Sequence, residues 1–188
     1  MNTINVHILD KATADQIKTE IEKIGKSEET PKQLTLELNS TTGDLMLGVE
    51  IVRKAHELKV ELLTRASGKL SAAGTILAAG GKLGRRAAGL ETVFVINDSE
   101  SDKTGRLRKV NNPNLGLIEY VLQRATEKKR MVKQTLSTMN VLTAFDAKGL
   151  GIIDELDGYD SMYKEEFEAR KNKKSEQIAV EKESEVSA

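Results

Sequence analysis

The feature that most constrains this chain is the regular alternation of short apolar segments with longer amphipathic ones through its first half. Short apolar or alternating runs predict strands, and apolar residues three or four positions apart predict helices. Strands that alternate with helices indicate parallel βαβ units with right-handed crossovers, so the predicted fold class is α/β. The predicted elements, in chain order, are strand 4–9, helix 13–25, strand 34–39, helix 45–58, strand 60–66, helix 71–80 and strand 92–97.

The second half of the chain is less regular. Residues 98–112 are polar and aperiodic, which predicts a loop, and Asn112 followed by Pro113 predicts the start of a helix. One apolar stripe then predicts a single long helix over 113–139, and residues 142–156 predict a short helix, a glycine turn and a last strand. The stripe comprises Ile118, Val121, Leu122, Ala125, Val132 and Leu136. We expect one domain over 1–156 and a charged tail over 157–188, exposed as helix or disordered.

Composition excludes several classes of function. The 29 Lys and Arg balance the 29 Asp and Glu, which does not favour binding to nucleic acid or to an acidic membrane surface. The absence of cysteine excludes disulfides, zinc–thiolate sites and cysteine catalysis. No segment resembles a signal peptide or a membrane span. We therefore expect a cytoplasmic protein, with no cofactor and no metal.

The stretch SGKLSAAGTILAAGG, residues 67–81, has side chains too small for an ordinary core helix. Such a helix must lie very close to its neighbours. Ser71 stands at its start and has two interpretations. It is either a nucleophile within reach of backbone amides, or an N-cap that satisfies the first turn of the helix.

Four stretches, in order, resemble motifs of the ClpP peptidases, whose larger fold group includes the crotonases. They are LTLELNSTTGD, LSAAGTILAAGGKLGRRAAG, TVFVIND and VLTAFDAKGLGIIDEL. In that family the first is a strand with a glycine turn, the second carries the nucleophile, and the third ends on the catalytic histidine. The fourth follows the catalytic acid. The resemblance implies a ClpP/crotonase-like superhelix of stacked ββα units with a projecting handle helix.

Carried over position by position, the resemblance places Ser71 on the nucleophile. It places Gly43 and Ala72 on the residues whose backbone N–H groups form the oxyanion hole. The family's histidine position is occupied by Asn97, and the acid position falls on Thr135. The family's Ser–His–Asp triad is therefore incomplete in this chain.

Without a base, a serine hydroxyl is a poor nucleophile near neutral pH. The only histidines, His7 and His56, lie in other stretches. Lys69 or Lys148 could act as the base only if desolvation lowered its pKa, and the residues around Lys69 predict an exposed turn. The N-cap interpretation of Ser71 is therefore favoured.

Three functions remain open. The first is a catalytically inactive structural or regulatory subunit of an oligomer. The second is an active ClpP-like serine endopeptidase that uses Ser71 with an atypical base, and the third is acyl-thioester binding of the crotonase type. We expect a homo-oligomer built through residues 113–139, or a hetero-oligomer with an active ClpP-like paralogue. The first strand begins at residue 4, without the segment that in ClpP helps to dock the Clp ATPase, so we do not expect that docking.

Overall fold

The computed structural model describes residues 2–28, 30–96, 115–136 and 141–158. The chain divides into two units, residues 1–156 and 157–188. Only Asp157 and Gly158 of the second unit are described. The predicted loop over 98–112 and nearly all of the predicted tail therefore lie outside the described residues. No described helix combines the length and apolarity needed to cross a bilayer.

Strands and helices alternate along the described chain. They are β1 (Asn2–Leu9), α1 (Lys11–Lys26), β2 (Gln33–Gly43), α2 (Leu45–Glu57), β3 (Glu61–Ser67), β4 (Lys69–Leu70), α3 (Ala72–Ala79), β5 (Arg86–Ala88), β6 (Val93–Val95), α4 (Leu115–Ala125), α5 (Lys129–Leu136), β7 (Val141–Thr143), α6 (Ala144–Leu150) and β8 (Glu155–Leu156).

The described strands form two sheets. The larger has the strand order β1-β2-β3-β5-β8 and is parallel throughout. The smaller has the order β4-β6-β7, in which β4 and β6 are parallel and β6 and β7 antiparallel. The predicted α/β architecture of parallel βαβ units is confirmed. The short strands β4, β5 and β7 were not predicted, because two or three residues are too few to show a periodicity.

The small side chains of α3 allow close packing of three elements. Helices α2 and α3 contact each other, and α3 also contacts β2. A Cβ on Gly48 of α2 would lie 3.2 Å from the Ala73 carbonyl oxygen, and one on Gly80 would overlap the side chain of Val52. Residues Ala73 to Ala79 are all buried. The run of Ala and Gly therefore marks a tightly enclosed helix.

The prediction of one long helix over 113–139 is wrong. The helix is broken after Ala125, and α5 begins at Lys129. Between them the Thr126 hydroxyl accepts a hydrogen bond from the backbone N–H of Lys128 at 3.0 Å. Four residues of the predicted stripe are buried within the chain's own fold: Ile118, Leu122, Val132 and Leu136. These four side chains are therefore unavailable as the predicted subunit interface.

A buried ion pair joins distant parts of the first unit. The Arg86 side chain is 1% exposed and that of Asp154 is 20% exposed. Arg86 Nε donates to Asp154 Oδ2 at 2.8 Å, and Nη2 donates to Oδ1 at 2.5 Å. The backbone N–H of Gly84 also donates to Asp154 Oδ2, at 2.7 Å. Burial raises the pKa of the Asp154 carboxyl, but the hydrogen bonds and charge of Arg86 outweigh that effect and hold this pKa below its ordinary value.

The rest of the Arg86 guanidinium binds the ends of three helices. Nη1 donates to the carbonyl oxygens of Ala125 at 2.8 Å and Ala79 at 3.4 Å, and Nη2 donates to that of Gly151 at 3.0 Å. These carbonyls lie at the ends of α4, α3 and α6, where helical residues lack intrahelical donors. Arg86 therefore helps to end α4 at Ala125, which explains the break in the predicted helix.

Replacing Arg86 with methionine should lower the free energy of unfolding by about 3 to 5 kcal/mol, because Asp154 would keep a partly buried charge without its partner. The measurement is urea denaturation at neutral pH. The control is Arg53→Met, whose partner Glu57 lies 3.7 Å away in an exposed pair, and it should change stability by less than about 1 kcal/mol. Equal losses in the two variants would contradict a dominant role for the buried pair.

Candidate functional site

Ser71 lies at the N-cap position of α3, as its N-cap interpretation predicts. Its backbone N–H donates to the Thr41 carbonyl oxygen at 2.8 Å, and its own carbonyl accepts from the Thr75 N–H at 2.8 Å. The side chain, however, makes no capping hydrogen bond. Its Oγ is buried and has no hydrogen-bond partner in the described part of the chain. The position of the cap was predicted correctly, and the capping role of the hydroxyl was not.

The start of α3 is held against the end of β2 by tight packing. A Cβ on Gly74 would lie 2.9 Å from the Thr41 carbonyl oxygen and 3.1 Å from the Cβ of Leu70. The Thr41 hydroxyl is buried and donates to the Val6 carbonyl oxygen on β1 at 2.5 Å. Thr41 therefore links β1, β2 and α3, and it fixes the backbone of Ser71.

Gly43 ends β2 in a conformation that favours glycine, with φ at +135°. It pairs with Leu9 of β1, and a Cβ at this position would overlap the Leu9 carbonyl. The next residue, Asp44, caps α2 by accepting from the Met46 N–H at 2.7 Å. Gly43 is thus held where a strand ends and a helix begins.

Ala72 is the first residue of α3 and is half-buried. N–H groups in the first turn of a helix have no intrahelical acceptor. The contact between Thr41 and Ser71 brings the β2 end, which carries Gly43, next to this turn. The three residues predicted to form the nucleophile and oxyanion hole therefore belong to two segments that touch, and such segments can supply backbone donors to a bound carbonyl oxygen.

Of the predicted base and acid positions, Asn97 and Thr135, only Thr135 is among the described residues. Asn97 lies outside the described residues, one position beyond Ile96. Strand β6, which precedes it, contacts the first turn of α3, because the Thr75 hydroxyl donates to the Val95 carbonyl oxygen at 3.2 Å. Thr135 is in the last turn of α5 and is half-buried.

Other groups able to accept a proton lie on separate elements. His7 is exposed on β1, with Nδ1 3.0 Å from the Asn39 carbonyl oxygen. His56 is exposed on α2. Lys69 is exposed, as predicted, but it lies on β4 and not in a turn, and Lys148 is half-buried on α6. Within the described ranges, no cluster of three histidine, aspartate or glutamate residues could hold a metal ion.

Sequence reasoning missed three residues that support this region: Thr41, Arg86 and Asp154. Thr41 gave no signal, because one threonine at a strand end is ordinary. Arg86 and Asp154 gave a weak one: each is a charged residue in a small or apolar run, RRAAG and GIIDEL. Charges in such surroundings are buried only when they are paired.

Replacing Ser71 with alanine should leave stability unchanged or raise it by up to about 1 kcal/mol, because a buried hydroxyl without a partner carries a desolvation cost. Gly74→Ala should lower stability by about 2 kcal/mol, because the methyl group would press on Thr41. Thermal or urea unfolding measures both.

The matched control is Gly149→Ala in α6. A Cβ at Gly149 has nothing within 4 Å, so alanine should raise stability by about 0.5 to 1 kcal/mol through helix propensity. A gain of that size from Gly74→Ala as well would show that the start of α3 is not tightly packed.

Comparisons with known proteins agree with this fold. The family model described as Clp protease matches residues 4–158. The ATP-dependent Clp protease proteolytic subunit of Oltmannsiellopsis viridis is 23% identical over 137 residues, which are 69% of this chain and 70% of that protein.

Two solved structures have a similar fold. The ClpP protease catalytic domain from Plasmodium falciparum has a TM-score of 0.63 and 18% identity, over 82% of this chain and 84% of that one. A peptidase from Plasmodium falciparum has a TM-score of 0.64 and 20% identity, over 82% of this chain and 94% of that one. The predicted ClpP-like fold is confirmed.

Proposed function

The chain belongs to the Clp protease family, and from that premise we propose that it is an assembling subunit that keeps the peptidase fold without hydrolysing peptide bonds. The observation that carries the proposal is the Ser71 hydroxyl, which is buried without a hydrogen-bond partner in the described structure. A serine nucleophile needs a base that accepts its proton and a third group that orients the base.

The two histidines of the chain do not supply this base. His7 is exposed with its Nδ1 against the Asn39 carbonyl, and His56 is exposed on α2. Asn97 stands at the sequence position of the family's histidine, and an amide side chain cannot accept and return a proton at neutral pH. The helix start and the glycine turn can hold a carbonyl oxygen, but backbone N–H groups cannot accept the proton of the serine, so Lys69 and Lys148 are the basic side chains left to test.

A fluorophosphonate probe tests the proposal directly, because it reacts with serines activated for nucleophilic attack. Loss of the base in a serine-protease triad costs on the order of 10⁶ in rate. We therefore expect no label on Ser71 under conditions that label an active serine peptidase completely, and no difference between the wild-type chain and Ser71→Ala. Mass spectrometry of the labelled peptide gives the readout.

Full labelling of the wild-type chain that disappears in Ser71→Ala would refute the proposal and establish a peptidase with an unusual base. Lys69→Met and Lys148→Met would then separate the two lysine candidates. The variant that abolishes labelling while keeping its unfolding midpoint would identify the base.

We further propose that the subunit associates through β7 and the start of α6. Among the described strands, β7 lies at an edge of the smaller sheet. Val141 on β7 and Phe145 on α6 are large apolar side chains that remain exposed. An open strand edge beside apolar side chains favours pairing with another chain. Val141 also pairs with Val95 of β6, the strand that contacts the first turn of α3.

Light scattering should report a mass above the 20.7 kDa of one chain. The double variant Val141→Glu with Phe145→Glu should reduce that mass, because two charges would be buried in the interface. Leu83→Glu is the control, since Leu83 is exposed on the segment between α3 and β5. A wild-type chain that stays monomeric at high micromolar concentration would rule the interface out.

A further inference from the structure

A basic groove lies where three helices end and a fourth begins. A cavity of about 760 Å³ is bounded by the last turns of α2, α3 and α4 and by the start of α5. Val52, Gly80 and Val121 are among its apolar or uncharged lining residues, which we call its floor. Helix α3, with eight residues, separates it from Ser71 by about 12 Å along the helix axis. We call this cavity the α3-end groove.

Among the described residues, every charged or ionisable side chain that lines the α3-end groove, apart from Tyr120, is basic: Arg53, His56, Arg124 and Lys129. None of the described carboxylates lines it. In the described part of the chain, Arg53 forms an ion pair with Glu57 at 3.7 Å, and both partners are exposed. An exposed pair of this kind contributes little and is easily exchanged. The chain as a whole has no net charge, so this cluster is a local concentration of positive charge.

A stabilising interaction with a helix dipole accounts for only some of these basic side chains. Arg124 and His56 lie in the last turns of α4 and α2, where a positive charge complements the helix dipole. Lys129 is the first residue of α5, and that first turn contains no acidic residue. A cation at the positive end of a helix is unfavourable. Its presence at the rim of the α3-end groove therefore favours a role in binding.

The groove is also suited to apolar contacts. Tyr120 lines it with 54% of its surface exposed, and the Arg124 guanidinium lies 4.8 Å from the centre of its ring. Tyrosine and arginine are enriched among the residues that dominate protein interfaces. A small inorganic anion would use the basic rim and leave the apolar floor exposed to water. The complementary ligand carries both carboxylates and apolar side chains.

We propose that the α3-end groove binds an acidic peptide segment of a partner protein. Apolar side chains of that segment cover Val52 and Val121, and its carboxylates contact Arg124 and Lys129. The proposal is independent of whether Ser71 is active, because the groove lies at the other end of α3.

The test uses a fluorescein-labelled peptide of about ten residues in which glutamate and leucine alternate, and a second peptide with glutamine in place of glutamate. Fluorescence anisotropy with the full chain should show binding of the acidic peptide at least about tenfold tighter than that of the glutamine peptide. Affinity should also fall as salt rises from about 50 to 300 mM, because screening weakens exposed charge pairs.

Lys129→Glu separates a binding role from a structural one. The substitution should weaken binding of the acidic peptide at least about tenfold, while the unfolding midpoint stays the same or rises, because glutamate suits the start of a helix. Lys133→Glu is the matched control: it makes the same charge change on α5, at an exposed residue outside the groove lining. It should keep the affinity within about twofold.

Three results would overturn the proposal. The first is equal binding of the acidic and glutamine peptides. The second is equal affinity of the wild-type chain and Lys129→Glu. The third is full displacement of the acidic peptide by an equal concentration of inorganic triphosphate, which would indicate a general anion site.

Discussion

The ion pair and hydrogen bonds of the buried Arg86 guanidinium are the interactions on which the rest of this fold depends. Its hydrogen bonds to Asp154 and to the last carbonyls of α3, α4 and α6 join elements that are far apart in sequence. The Arg86 side chain is 1% exposed, and its positive charge is tolerated there only because each of its guanidinium nitrogens donates hydrogen bonds. The break between α4 and α5 follows from this arrangement, since the Ala125 carbonyl is bonded to Arg86. The burial of Leu122 and Val132 in the chain's own core accompanies that break.

The candidate site is fixed mainly by backbone packing. Thr41 binds β1 through its hydroxyl and α3 through its carbonyl, and Gly74 leaves room for that carbonyl. Gly43 in turn requires a backbone that other residues rarely adopt. This framework does not depend on the side chain of Ser71. The shape of this region is therefore set by backbone packing and not by the Ser71 hydroxyl.

Helix α3 separates two surfaces of different chemistry. Its start, at Ser71, is packed tightly against Thr41 near the end of β2. Its end, at Gly80, opens on a groove with a basic rim. Because one short helix connects them and its residues 73–79 are buried, both ends are held rigidly by the same core. The absence of hydrolysis proposed at Ser71 and the recognition of an acidic segment proposed at the α3-end groove therefore concern opposite ends of one helix, whereas the proposed subunit contact lies on β7 and α6.

Much of the fold and part of the site could be predicted from the sequence. The apolar periodicity identified the parallel βαβ units, because it reports which face of each element is buried. Motif order identified the family, and with it the segments that carry Gly43, Ser71 and Ala72. Only the tertiary structure decided where the long helix breaks and that the Ser71 hydroxyl caps nothing. The physical reason is that these features depend on contacts between distant residues: Arg86 and Asp154 are 68 positions apart, and such a pair leaves no periodic signal in the local sequence.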